Sequence, residues 1–381
     1  MTKPIYVVLG AGMQGTCAAY DLLAHGAQEV RLVDTDLGRA KKSAERVIEL
    51  TGGRAVALQG DASAPSTLAN AIDGAQGFLS CVPYFLNPPL AKMCVAAGLN
   101  YVDLGGNTGV SAEVLALDEA ARRANVALVP DCGLAPGLGN TLAADAIERA
   151  PGTRDIRIVC GGLPQVPTGA FQYHLVFSMA GLLNEYAGEA DILRDGLLQK
   201  VNALDEVEAI DFPGLGALEA FVTTGGTSTA PASFANRLHS FEYKTLRYPG
   251  HVGMFRAYRD AGLLSEEPIL VRGAHVRPRD VLAELLFPRL YQPESKDCIA
   301  LMVTATGSGA GGRWVMLDRF DPKTGFSAME RCTAFPAATV LEMLVAGETE
   351  RGALRLESGV PTKPFLERLG RRNLPLRWEA I

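Results

Sequence analysis

The sequence predicts an α/β protein: an N-terminal Rossmann-type doubly wound parallel sheet followed by a second, mixed α+β domain. Three observations carry this reading. An apolar run at 5–9 enters the turn Gly10-Ala11-Gly12-Met13-Gln14-Gly15 and a helical stretch. Apolar strand-like runs at 5–9, 30–33, 55–58, 77–82, 101–104 and 126–129 each lead into a helical pattern, the order expected of a parallel sheet with right-handed crossovers. After Pro151 the runs at 156–160, 241–246, 299–306 and 314–320 are separated by Gly-rich or Pro-rich turns.

The first turn is chemically specific. Gly10 permits a sharp exit from the strand, Gly12 lets backbone approach a pyrophosphate, and Gly15 lets the helix lie close on the sheet. Phosphates then sit at the helix N-terminus, beside Met13 and Gln14. Asp34 closes the second run, where a carboxylate accepts from ribose hydroxyls and repels a 2′-phosphate, so NAD is the expected cofactor; Arg39 reads as too far along to partner a phosphate. In such a sheet the ligand lies beyond the carboxyl ends of the strands. The remaining rim, Asp61, Cys81, Val82, Tyr84, 103–106 and 131–137 with Gly133, is expected to complete the cleft.

Local signals support the helices. Asn87 before Pro88 reads as an N-cap, Gly26 and Gly98 as left-handed helix ends, and His25 as a partner for a helix C-terminus. The Gly-rich segment 307–312 reads as a hairpin tip because no helix start follows it. Residues 1–135 are expected to form the nucleotide domain and 136–333 the second domain, with a C-terminal helical segment, about 334–381, returning to the first.

Composition narrows the function classes. The chain has 381 residues, 48% hydrophobic and 20% charged, with net charge −6, which gives no general attraction for nucleic acid or anionic membrane. No run has the length of a membrane span, and the first apolar segment flows straight into the glycine turn, so a cytoplasmic location is expected. Seven cysteines without a C-x-x-C pair and five scattered histidines suggest reduced thiols and no metal.

A nicotinamide-dependent oxidation needs a base for the departing proton and anchors for the substrate. Asp103 and Asp131 lie on rim loops, each equally readable as an Asx-type turn residue. His174 and Lys244 are further base candidates, each with an ordinary structural reading beside it. Arg247 with Tyr243 could clamp a carboxylate, and Tyr84, Tyr173 and Thr224 are polar groups placed to contact substrate.

The segments GAGMQGTCAAYDL, NYVDLGG, PDCGLAPGLGN, VFSMAGLLNEY, LEAFVTTGGTST, EYKTLRYPGH and VRPRDVL, in this order over nearly the whole chain, resemble the saccharopine dehydrogenase-like group, and most its L-lysine 6-dehydrogenase branch. The resemblance implies a homodimer, with 136–333 as the substrate-binding and dimerisation domain, that oxidises the ε-amino group of lysine with NAD, releasing ammonia and a 6-semialdehyde that cyclises. Met179-Ala180 and the tail 354–381 depart from the group's pattern, which bears on the identity of the amine. Rival readings are a saccharopine-type or carboxynorspermidine-type dehydrogenase acting on a secondary amine, and an NAD(H)-binding regulatory protein without turnover.

Overall fold

A computed structural model describes residues 3–381. The chain divides into two compact units, one of residues 3–145 with 330–374 and one of 146–329 with 375–381. The division lies beyond the expected 135/136 boundary, within a continuous helix at Leu138–Arg149. Two further departures concern the C-terminal segment: Ala328–Ala346 is helical from an earlier start, and the last residues join the second unit, not the first.

The first unit alternates strand and helix: β1 (Ile5–Leu9), α1 (Met13–Ala24), β2 (Glu29–Asp34), α2 (Leu37–Thr51), β3 (Ala55–Gln59), a short α3 (Ala69–Ile72), β4 (Gly77–Ser80), α4 (Asn87–Ala97), β5 (Asn100–Asp103), α5 (Thr108–Leu115), α6 (Asp118–Arg123), β6 (Ala127–Val129) and α7 (Leu138–Arg149). The sheet runs β3-β2-β1-β4-β5-β6, all parallel, so the strand order reverses between β1 and β4, where a nucleotide crevice forms. Val7, Val8, Val30, Leu32, Phe78 and Leu79 are fully buried, as strands covered on both faces require.

One cap differs from expectation. Asn87 is already inside α4, preceded by a 3-10 turn at Tyr84–Leu86, and its Oδ1 accepts from the Ser80 hydroxyl at 2.8 Å. A buried hydroxyl at the end of β4 has taken the acceptor that would have capped the helix. Gly26 and Gly98 do take positive φ, +109° and +69°, and His25 ends α1 with its Nδ1 2.9 Å from the Asp21 carbonyl oxygen.

The second unit contains β7 (Thr153–Pro164), α8 (Met179–Glu185), β8 (Glu189–Arg194), β9 (Leu197–Asn202), β10 (Glu208–Phe212), β11 (Gly216–Phe221), α9 (Ala230–Phe234), β12 (Ser240–Arg247), α10 (His251–Asp260), β13 (Ile269–Val271), β14 (Ala274–Val276), α11 (Pro278–Leu290), β15 (Asp297–Gly307) and β16 (Gly312–Arg319). After α12 (Ala328–Ala346), β17 (Gly352–Ala353) extends the first sheet beside β6, and β18 (Leu376–Ala380) joins the second beside β16. That second sheet is mixed: β12 and β7 are parallel, while β10-β11-β12 and β7-β15-β16-β18 pair antiparallel. Residues 307–312 link β15 to β16 as a hairpin tip. A separate core of Tyr173, Leu182, Leu183, Tyr186, Phe221 and Phe255 holds α8 and α10.

The seven cysteines are free. No helix among the described residues is long and apolar enough to cross a membrane. Among the described residues, the group closest to a cation site, Asp21, His25 and Glu342, is spanned by the buried guanidinium of Arg372, 2.8 Å from Asp21 and 3.0 Å from Glu342. This protein cation holds the tail against the first unit's helices.

Candidate active site

In the first unit the glycine turn is shaped for a nucleotide. Gly10 has φ +97°, and a Cβ there would lie 2.7 Å from the Cys81 carbonyl oxygen, so only glycine lets β1 and β4 close to this distance. A Cβ on Gly15 would fall 1.7 Å from the Gly10 oxygen, whereas one on Gly12 would meet nothing within 4 Å. The open side of the turn is thus at Gly12, where α1 begins without a side-chain cap, as a helix start that receives a phosphate does. Met13 is half-exposed at this mouth, and Gln14 lies behind it in the first helical turn. These features fit a pyridine nucleotide.

Asp34 is buried at the end of β2. Its Oδ2 accepts from the Ala11 N–H at 2.9 Å and its Oδ1 from the Asp36 N–H at 3.0 Å, so the carboxylate also ties the turn to β2. Arg39 is nearer than its sequence position suggested: its Nη1 lies 3.9 Å from Asp34 Oδ2. The reason is the Asp36 side chain, which caps α2 by accepting from Gly38 and Arg39 and folds that first turn back.

The other rim residues divide by how fully they are engaged. Asp61 accepts from the Ser63 N–H and hydroxyl, which hold its carboxyl below the usual range, and forms a local Asx turn. Burial pushes the Cys81 thiol up, so it is no thiolate, and Val82 Cγ1 lies 3.3 Å from where a Gly10 Cβ would be. Tyr84 lays its ring over Gly106, 3.0 Å from a Cβ there. Gly133 packs beneath the Leu104 carbonyl, 3.0 Å from its own Cβ direction.

Asp103 and Asp131 have different roles from one another. Asp103 accepts from the N–H groups of Gly105 and Asp131 at 2.8 and 3.0 Å and from the Tyr101 hydroxyl at 3.1 Å. Three donors to a buried carboxylate make it a brace for two rim loops, against its expectation as a base. Burial still leaves its pKa above normal because desolvation outweighs those bonds. Asp131 is buried with φ +63°, and its Oδ1 lies 2.4 Å from where a Gly105 Cβ would be, so Gly105 is the residue that makes room for it.

In the second unit, alternate residues of β12 point to opposite faces, and this separates residues that the sequence reading grouped. Tyr243, Thr245 and Arg247 share one face. Lys244 is on the other, donating to Glu208 at 2.7 Å and to the Glu206 carbonyl at 3.0 Å; this pairing of a buried ammonium with a half-exposed carboxylate corrects its expectation as a free base. His174 is likewise engaged, with Nδ1 2.8 Å from the Ser295 hydroxyl, and burial lowers its pKa to about 4.

The Arg247 face forms a desolvated aromatic box. The guanidinium lies 4.7 Å from the Tyr173 ring centroid and 5.9 Å from that of Tyr186, with Nε donating to the Tyr186 hydroxyl and Nη1 to the Leu246 carbonyl, both at 2.9 Å. Among the described residues the buried Tyr173 hydroxyl has no hydrogen-bond partner within bonding geometry, and burial raises its pKa to about 12. Tyr243 packs over Gly226, where a Cβ would lie 2.3 Å from its ring, and Thr224 holds the adjoining loop by donating to the Asn184 carbonyl at 2.9 Å.

Comparison with known proteins decides the family. Residues 6–129 match the saccharopine dehydrogenase NADP binding domain and 133–374 the saccharopine dehydrogenase C-terminal domain. The chain belongs to the saccharopine dehydrogenase family. Bovine mitochondrial alpha-aminoadipic semialdehyde synthase is 25% identical over 365 residues, covering 76% of this chain and 39% of that protein. The saccharopine dehydrogenase [NADP(+), L-glutamate-forming] of Pyricularia oryzae is 24% identical over 202 residues, covering 50% of this chain and 43% of that one. The chain therefore spans about two fifths of the length of these curated relatives. In fold it is similar to the apo saccharopine dehydrogenase (L-Glu forming) of Saccharomyces cerevisiae, with TM-score 0.79 at 18% identity, covering 99% of this chain and 100% of that one.

Within this saccharopine dehydrogenase-family chain, three residues of the Arg247 box escaped the sequence reading: Glu185, Tyr186 and His251. His251 Nδ1 is 3.0 Å from the Phe171 carbonyl oxygen, an acceptor only, so that nitrogen carries the proton and Nε2 accepts from the Tyr186 hydroxyl at 2.9 Å. Burial and the Arg247 charge lower His251 to about 3 and keep it neutral. Glu185, half-buried at the end of α8, is raised to about 7 by burial in spite of Arg247. The only sequence signal was an acid and a phenol closing the apolar helix in LLNEY.

Proposed function

We propose that this protein catalyses NAD-dependent oxidative deamination of the terminal amine of L-lysine or a closely similar amino acid. The observation that carries the reading is the buried Arg247 in its tyrosine box, a planar donor fork suited to a carboxylate at the far end of an amine substrate. Asp34 supports NAD over NADP, because a buried carboxylate at the end of β2 disfavours a 2′-phosphate. When bound, the nicotinamide supplies hydride acceptance. The chain's own residues anchor the substrate carboxylate at Arg247, take the proton from the terminal ammonium, and deprotonate the water that attacks the substrate iminium. Of the four base candidates, Asp103, His174 and Lys244 each hold a neighbour in place, and replacement of Asp131 tests the fourth.

A saccharopine-type reaction is the second reading, favoured by the names of the curated relatives. A secondary amine bearing further carboxylates would call for further cations, and Lys244 is turned away toward Glu206 and Glu208. The decisive experiment incubates the protein with NAD and either lysine or saccharopine while NADH and ammonia are measured in parallel. Equimolar NADH and ammonia from lysine support the first reading; NADH from saccharopine without ammonia supports the second. A homodimer belongs to the same proposal. The two-stranded β13–β14 hairpin exposes Ile269, Leu270 and Val271, a surface that a second copy would cover, and light scattering of Leu270→Asp against the parent tests it.

A further inference from the structure

We propose that Glu185 and Arg247 together form a subsite for the zwitterionic head of a free α-amino acid, Glu185 receiving the α-ammonium and Arg247 the α-carboxylate. The inference deepens the amine-oxidation reading, on which it rests for the statement that the other end of the substrate reacts. Glu185 closes α8, and the very next residue, Tyr186, is the one bonded to Arg247. The Glu185 carboxylate makes no hydrogen bond among the described residues and stands more than 4 Å from any guanidinium nitrogen, while still feeling the Arg247 charge. Arg247 in turn has its Nε and Nη1 committed and its Nη2 free of hydrogen bonds among the described residues.

An unpaired anion and a half-committed cation on either side of a tyrosine fit a ligand carrying both charges in the opposite order. The location of Glu185 is costly in the free protein. A carboxylate at the last position of a helix meets the negative end of the helix dipole, and here it is also desolvated; an ammonium would offset both. The groups that interact with it are Tyr243 and Arg247 of β12, Cys160 of β7, Tyr173 and Tyr186. Burial raises the phenols and the thiol, so among the described residues Arg247 is the charged neighbour near neutral pH. Glu185 would also repel a substrate with a further carboxylate at this end, which gives the subsite a discriminating role.

The test is calorimetric binding to the full chain with NADH bound, using L-norleucine, hexanoate and pentylamine. These probes carry both head charges, the carboxylate alone and the ammonium alone, and none has a second amine to oxidise. Glu185→Gln is expected to weaken norleucine about tenfold or more and leave hexanoate unchanged or tighter. Arg247→Lys is expected to weaken norleucine and hexanoate together and pentylamine little. Norleucine affinity should rise with pH through about 7 in the parent and stay flat in Glu185→Gln. Equal losses of norleucine and hexanoate in Glu185→Gln, or no loss of norleucine, would overturn the subsite. So would a fall in lysine kcat with KM unchanged, which would place Glu185 at the reacting nitrogen. If norleucine binding depends on Glu185 yet lysine is not oxidised, the subsite stands and the reaction reading fails; lysine turnover with Glu185-independent norleucine binding means the reverse.

Discussion

Arg247 donates its Nε–H to the Tyr186 hydroxyl at 2.9 Å, and the orientation of that hydroxyl fixes the state of the whole box. Because the Phe171 carbonyl takes the Nδ1 proton of His251, the tyrosine can only donate onward to Nε2, giving one directed chain from guanidinium to imidazole. Tyr186→Phe removes the middle member and leaves a buried donor and a buried acceptor unsatisfied. Urea unfolding is expected to show a loss of about 1–3 kcal/mol. Steady-state kinetics should show a larger rise in KM for the amino acid than fall in kcat, since Arg247 loses its orientation and no reacting group is removed. Unchanged KM would mean that Arg247 is held by packing alone.

Cofactor choice is expected to follow Asp34, but with a cost to the fold that the motif alone did not suggest. Asp34→Ser removes the carboxylate that would repel a 2′-phosphate and leaves Arg39, 3.9 Å away, as a cation for it. NADP should then compete with NAD in fluorescence titrations. The same substitution breaks the acceptor for the Ala11 N–H, so NAD affinity should fall and the melting temperature should drop as well. Preference for NADP in the parent would refute the NAD reading.

The nucleotide unit was legible in the sequence because each local signal there has one dominant partner. Gly10, Gly15 and Asp34 are constrained by backbone a few ångströms away, and the apolar runs of buried parallel strands cannot be mistaken for amphipathic faces. The second unit was less legible for equally physical reasons. Tyr243 and Lys244 are adjacent in sequence but face opposite sides of β12, and which side is the site depends on partners such as Glu208 that lie distant in the chain. Glu185 gave only the weak signal of an acid closing an apolar helix, which looks like ordinary surface until burial and Arg247 are known. Asp103 illustrates the converse: it ends β5 as a rim residue would, and only the three donors around it reveal a brace.

That contrast makes Asp103 and Asp131 separable by experiment. Asp103→Asn keeps the shape but loses acceptor strength toward two N–H groups and places a donor amide in their midst. It should therefore lower stability by about 1–3 kcal/mol and weaken NAD binding and turnover together. Asp131→Asn retains a residue type that tolerates φ +63°, so the fold and NAD affinity should persist. Turnover and its alkaline limb should both be lost if Asp131 is the base. Thermal melts with NAD titrations, followed by a pH–rate profile, distinguish the two; near-normal turnover in Asp131→Asn would move the base elsewhere.

The pKa of Glu185 also predicts how stability responds to pH. Its folded value of about 7 lies above the ordinary 4.5, so the folded state favours the neutral acid. The associated stabilisation is fully present below 4.5 and is lost as pH rises toward 7, because the native protein there holds a proton that the unfolded chain has already released. At pH 8 the charged carboxylate burdens the fold by a few kcal/mol at most, the partial exposure of the side chain reducing the effect. Glu185→Gln carries no such burden. Its melting temperature should therefore exceed the parent's at pH 8, and the gap should close toward pH 4.5. A saturating α-amino acid should narrow the gap at pH 8 by supplying the missing cation to the parent alone. A gap of equal size at both pH values would instead assign the effect to packing, and the charge at Glu185 would have no part in it.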